Sequence, residues 1–210
     1  MNEISVHILT TDGPVAIQRI SEEDPIVSSV ICLDGRAQAL PISPAYEAFI
    51  RSPIGIIEKM TGHPAYRMDV SARIDEGRSW QLAACIAHAA ALQKSGWQGR
   101  IYATGEVDND LAVRPVEQIP LKLAALQAAL NDGVDGSGNA MVLVPKDDQS
   151  LPDEINGIPV HAVGTVSEAL ALAGLSWPVR TELHSVTKPK ANRGRGLAIL
   201  LSAALVAALV

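Results

Sequence analysis

The stretch "SWQLAACIAHAAALQK", residues 79 to 94, constrains the fold more than any other part of the chain. Good helix formers run through it almost without interruption, so a helix is expected from Ser79 to about Lys94, with "SGWQG" as its stop. Small side chains stand on nearly every face instead of along one stripe. A helix of that kind has no face meant for water and must be packed closely on both sides, at the centre of a domain.

The segments around it alternate between strand and helix patterns. "EISVHILT", "GPVAIQRI" and "VSSVICL" read as strands, the second following the Asp12-Gly13 turn signal and the third ended by Asp34-Gly35, and an N-terminal antiparallel set is expected from them. "SPAYEAFIRSPIGIIEKMTG" reads as two short helices separated at Pro53. "AYRMDVSARI" alternates Tyr66, Met68, Val70 and Ala72 with polar neighbours, which predicts a strand with one wet face leading into the central helix. "GRIYATGEVD" and "DLAVRPV" form a hairpin-like pair around Asp108, Asn109 and Asp110. "IPLKLAALQAAL" predicts a helix with Pro120 in its first turn, where the missing N–H costs nothing. "AMVLVP" and "IPVHAV" are short apolar runs suited to buried strands. In "TVSEALALAG", Thr165 and Glu168 make a capping box and Gly174 takes the position after the helix end. The fold class is α/β with a mixed sheet.

Aromatic residues make up 3% of the 210 and hydrophobic residues 48%, so one core of ordinary size must be built from Ala, Leu, Ile and Val. Platforms for stacking nucleic-acid bases are lacking. Lys188, Lys190, Arg193 and Arg195 lie in one short stretch, which leaves 13 positive against 23 negative charges in the preceding body. An acidic body is repelled by phosphates, and no nucleic-acid partner is expected. There is no phosphate loop, and Cys32 and Cys85 are too far apart for a metal knuckle or a redox motif, so neither cofactor nor metal is expected. Both cysteines read as thiols in a reducing compartment, and "MNEISVHILTTDG" lacks the pattern of a signal peptide.

The order "EGRSWQLAACIA", "ATGEVDNDLAVRP", "PVEQIPLKLAAL", "MVLVPKDD", "GIPVHAVGTVSEAL" resembles the proteolytic domain of the Lon family of serine proteases, over about half the chain from Tyr66 to Leu175. In that family a strand leads to Gly-Pro-Ser-Ala-Gly, a small-residue helix, a Thr-Gly-Glu strand and a lysine-bearing segment. The resemblance implies a Lon protease-like mixed-sheet fold and a Ser-Lys dyad, in which a desolvated lysine accepts the proton of the serine hydroxyl. Carried over residue by residue, Ser79 falls on the nucleophile, and Thr104-Gly105-Glu106 and Pro115 fall on the strand that follows. The family's lysine falls on Pro120, and Lys122 matches a second lysine two places on. Two residues along a helix turn a side chain by about 200°, so Lys122 is expected on the opposite face from position 120, usable as a substitute base only with a distorted first turn or a helix that begins later.

Other readings of the same residues are simpler. Serine is a favoured N-cap, and capping alone would account for Ser79. Arg78 and Trp80-Gln81 stand where the family has Pro and Ala-Gly, and Trp80 is expected to fill the cleft a substrate chain would occupy. His88 lies nine residues into the helix, more than about 13 Å of axial rise from Ser79, and reads as a core histidine. His63 and His161 reach the serine only through tertiary folding. Asp75-Glu76, Glu106 and Asp108 read as solvated loop charges sooner than as a two-carboxylate site.

The last fifteen residues, "GLAILLSAALVAALV", carry no charge. They read as a truncated transmembrane helix, since a span takes about 20 apolar residues. The basic flank "KPKANRGR" predicts that residues before it lie on the cytoplasmic side. The expected division is a Lon protease-like domain over 1–176, a basic juxtamembrane linker over 177–195 and a membrane segment over 196–210. The expected function is a membrane-anchored cytoplasmic domain that has lost proteolysis and binds a peptide or protein partner, or assembles with copies of itself. The alternative is an active membrane-tethered serine endopeptidase using Ser79 with Lys122 or another base.

Overall fold

Strand β1 (Ile4–Thr10) turns through Gly13 into β2 (Gly13–Glu22), and the two pair antiparallel with His7 opposite Ala16. The computed structural model describes residues 4–74, 76–93, 98–133, 139–146 and 151–177, all within the compact unit Met1–Arg180. The linker expected over 177–195 lies outside the described residues from 178 onward, and so does the whole membrane segment expected over 196–210. Among the described residues no helix is long and apolar enough to cross a membrane.

The remaining elements follow in chain order. They are β3 (Val30–Leu33), α1 (Ser43–Ile50), α2 (Ile56–Thr61), β4 (Tyr66–Val70), α3 (Gln81–Leu92), β5 (Gly99–Ala103), β6 (Glu106–Val107), β7 (Val113–Arg114), α4 (Ile119–Asn131), β8 (Ala140–Pro145), β9 (Glu154–Ile155), β10 (Ile158–Val163) and α5 (Val166–Leu172). Eight strands form one sheet in the order β3-β4-β2-β1-β5-β8-β10-β9, and β6 and β7 form a separate small hairpin. The sheet is mixed. β1, β5, β8 and β10 run parallel to one another, whereas β2 is antiparallel to both β1 and β4, and β9 is antiparallel to β10.

Two expectations about the N-terminal half are corrected. β3 does not complete an antiparallel set with β1 and β2; it pairs parallel with β4, with Ile31 opposite Met68, because α1 and α2 form the crossover between them. β4 also lacks a wet face. Asp69 is buried there, and its carboxylate is held by the guanidinium groups of Arg19 at 2.8 Å and Arg67 at 2.9 Å. A buried carboxylate needs such partners, so the polar letters of this strand point into an ion-pair network instead of water.

The period-2 alternation of the central strands divides the core in two. Val6, Ile8, Ile101, Ala103, Met141 and Leu143 pack with α3 and the helices beside it on one face. Leu9, Tyr102, Val142 and Val144 pack with Ile119, Leu123 and Leu126 of α4 on the other. Every residue from Gln81 to Ala89 of α3 is buried, as the small side chains require of a helix lying against both the sheet and α5. Helix α5 carries its expected cap, with Thr165 Oγ1 accepting from Glu168 N–H at 3.1 Å. The Glu168 carboxylate reaches one residue further back than a capping box does, to Gly164 N–H at 2.7 Å.

Helix α3 precedes β5 in the chain, and α4 follows β5 and the β6–β7 hairpin. Both helix N-termini therefore flank the C-terminal end of β5, one on each face of the sheet. Crevices at the carboxyl ends of parallel strands are where α/β sheets place ligands.

Candidate active site

Ser79 sits in the turn that leads into α3, and that turn is fastened from both sides. Gly77 adopts φ +83°, a left-handed conformation with open space where a side chain would stand. The Trp80 indole N–H donates to Gly77 C=O at 2.9 Å, and Gln81 N–H donates to Arg78 C=O at 3.1 Å. Trp80 itself is 1% exposed and lies edge-on against Phe49 and Tyr46, with ring centroids 5.2 and 5.9 Å away. The expectation that Trp80 plugs a substrate cleft is thus corrected: its large apolar ring is anchored in the core.

The capping role expected for Ser79 is corrected too. Helix α3 starts at Gln81 with Trp80 as its N-cap, and no side chain caps it. Ser79 is half-buried, and among the described residues its hydroxyl makes no hydrogen bond. The N–H groups of Ser79 and Trp80 likewise find no acceptor among those residues. A free hydroxyl beside free backbone donors is the raw material of nucleophile and oxyanion stabiliser.

The face of α4 separates the two candidate positions, 120 and 122. Ile119, Lys122, Leu123 and Leu126 are its buried residues, spaced i, i+3, i+4 and i+7, whereas Pro120 is exposed. Position 120, on which the motif carry-over set the lysine, faces outward, and the inward residue is Lys122. Lys122 is 7% exposed, and its Nζ donates to Thr104 Oγ1 at 3.3 Å. Burial holds its ammonium below the ordinary lysine value, with the Glu117 carboxylate partly opposing that effect. Such a lysine sheds its proton more readily than a solvated one.

One four-residue run, Thr104 to Val107, connects the two residues. Thr104 is fully buried at the end of β5 and holds Lys122 Nζ. Gly105 N–H donates to Ser79 C=O at 2.9 Å, and Gly105 C=O accepts from Leu82 N–H at 3.1 Å. The Glu106 carboxylate pairs with Arg78 at 2.8 Å, and Val107 N–H donates to Gln81 Oε1 at 2.8 Å. Gly105 has to be glycine for this approach, since a Cβ there would stand 2.8 Å from Val113 Cγ1. Ser79 and Lys122 are thereby tied to consecutive residues of one segment.

The other candidates are dispersed. His88 Nε2 and Tyr46 Oη share a hydrogen bond of 3.0 Å in the core, and burial lowers the imidazole pKa to about 3. His63 Nε2 lies 2.8 Å from Glu23 C=O, and among the described residues neither it nor His161 bonds to Ser79. Glu106 and Asp108 do not form a carboxylate pair, because each has its own arginine, Arg78 and Arg114. Burial raises the Asp108 pKa, but hydrogen bonds from Ala112 N–H, Arg114 and Asp110 N–H outweigh it and keep the carboxyl below its usual range. Glu76 is exposed, and Asp75 lies outside the described residues. Burial pushes both cysteine thiols up, away from reactive thiolate.

Sequence reasoning missed the roles of Thr104 and Gln81. Thr104 continues the alternation of Tyr102 along β5, which was a readable signal; the Gln81 contact crosses between elements and left none. No protein-family model matches the chain, and no curated protein matches it.

Proposed function

We propose that the chain is a serine endopeptidase with a Lon protease-like fold, in which Ser79 is the nucleophile and Lys122 the general base. The observation that carries this reading is the buried Lys122 ammonium, with its pKa lowered, on the residue directly before the one that binds Ser79's carbonyl. Two grounds for an inactive domain, the missing lysine at position 120 and the blocking Trp80, lose their force because Pro120 faces outward and Trp80 is in the core.

In the proposed reaction, neutral Lys122 takes the proton of Ser79 as Oγ attacks the carbonyl carbon of an extended peptide. The developing oxyanion is met by the N–H groups at the start of α3. Collapse of the tetrahedral species breaks the C–N bond, and Lys122 hands its proton to the departing amine. Water, deprotonated by the same lysine, then hydrolyses the ester and restores the serine. The apolar run over 196–210 extends the proposal to a membrane-tethered enzyme acting on the cytoplasmic side.

The test is cleavage of an unfolded protein by the full chain, beside covalent labelling of Ser79 by a fluorophosphonate. Cleavage and labelling that both vanish in Ser79→Ala, with cleavage lost in Lys122→Met, are expected. Cleavage that survives Ser79→Ala, or a wild-type chain that neither cleaves nor is labelled, overturns the reading.

A further inference from the structure

The residues on either side of the nucleophile are both tied to the same short strand. Arg78 precedes Ser79 and reaches Glu106 from an exposed position, with its side chain 69% exposed. Gln81 follows two places on, is 8% exposed, and gives its Oε1 to Val107 N–H at 2.8 Å. The two ties differ in strength. A solvated ion pair contributes little, whereas a buried backbone N–H deprived of its acceptor bears the full cost of desolvation.

Val107 N–H is available for this bond because the β6–β7 ladder does not use it. The hairpin's other strand is fastened elsewhere, with Val113 N–H donating to Gly164 C=O at 2.9 Å. The Gln81 amide therefore stands in for a missing neighbouring strand. It joins the hairpin to the first turn of α3, at the point where Gly105 already binds Ser79 and Leu82 through its backbone.

We infer that Gln81 is a positioning residue, whose bond to Val107 sets the nucleophile turn in register with the Thr104–Lys122 pair. This inference rests on the endopeptidase reading and concerns the residue that holds its geometry. Without the bond, the polar ties between the 78–82 turn and the 104–107 run among the described residues are two backbone bonds and an exposed ion pair, beside the non-directional packing of Leu82 and Val107. Ser79 then drifts relative to Lys122, and misplacement of this kind depresses the chemical step while leaving substrate binding intact.

The experiment measures the rate of fluorophosphonate labelling and the separate kcat and KM for peptide cleavage, using the full chain. Gln81→Met keeps length and removes the acceptor, Val107→Pro removes the donor, and Gln81→Glu keeps an acceptor at neutral pH. Labelling rate and kcat are expected to fall about tenfold or more in Q81M and in V107P, with KM unchanged. The double variant should be no worse than either single one, and Q81E should recover most of the rate. Equal rates in wild type and Q81M overturn the inference and leave the endopeptidase reading standing, as does a fall in Q81M that Q81E does not restore. An unlabelled, inactive wild type removes both together. Should Q81M fail to fold, the comparison of V107P with Q81E decides.

Discussion

Two buried nitrogen bases, one on each face of the sheet, have opposite fates. His88 lies in α3 on the larger core face, hydrogen-bonded to Tyr46 and with the Tyr66 ring edge-on at 4.6 Å. Lys122 lies in the first turn of α4, on the other face, and its Nζ donates to the Thr104 hydroxyl. Burial depresses both pKa values. The perturbation alone does not distinguish them. His88 is enclosed by the Tyr46 and Tyr66 rings in mid-helix, about nine residues along from Ser79, so its neutrality serves packing. Lys122 stands at a strand end, bonded to the residue next to the one that holds Ser79, so its readier loss of a proton falls beside a turn bearing a hydroxyl that is unbonded among the described residues.

The sharpest way to break this contrast is to remove each base. Lys122→Met should reduce kcat/KM by about 10³-fold, in the range a general base contributes, with the circular dichroism spectrum unchanged. His88→Gln should leave kcat within about twofold of wild type and lower stability by about 2–3 kcal/mol in urea titrations, since aromatic packing and a buried hydrogen bond go together. If H88Q is the variant that loses activity, the two roles are reversed.

A smaller effect is expected from crowding the segment between them. Gly105→Ala puts a methyl against Val113 Cγ1 and should destabilise by about 1–3 kcal/mol, as overpacking does. It should also slow Ser79 labelling, while leaving the environment of Tyr46 and His88 as judged by NMR untouched.

The two bases also titrate at opposite ends of the pH scale. With a folded pKa of about 3 against an ordinary 6.5, His88 binds fewer protons folded than unfolded between those values. Stability should therefore be lost as pH falls from about 6.5 toward 3, and the acid slope should be shallower in H88Q. His7, whose pKa burial and Arg100 lower to about 4, adds to the same slope. Lys122 acts in the alkaline range: its folded value lies below its unfolded one, so both stability and activity should rise as pH climbs through that window.

The smallest expected change is in Thr104→Val. Loss of the hydroxyl acceptor further disfavours the ammonium, so the activity limb should move to lower pH while the maximal rate falls about two- to fivefold. An unmoved limb would show that the Thr104 contact does not bear on Lys122.

Much of this was legible in the letters. The all-round small residues of α3 placed it at the centre, the short apolar run of β8 marked a buried strand, and the spacing of Ile119, Lys122, Leu123 and Leu126 already carried the inward stripe of α4. The last pattern was overridden by motif position, which assigned the lysine to Pro120. Where local periodicity and a motif register disagree by two residues, the periodicity decides, because it reports which side of a helix can be buried.

Local order could not say that β3 pairs with β4 or that Asp69 is buried, since both depend on which distant strand supplies the neighbour. It also left Ser79 a helix cap, because a serine before a helix looks alike in either role until the turn around it is closed. That closure comes from residues 104 to 107, about 25 positions away in sequence. Chain letters determine which faces are apolar and which segments are helices and strands, because propensity and periodicity act within a few residues. Only the tertiary structure decided that Ser79 and Lys122 meet one short segment, because packing two helices against opposite faces of a strand end is a long-range contact that no local pattern encodes.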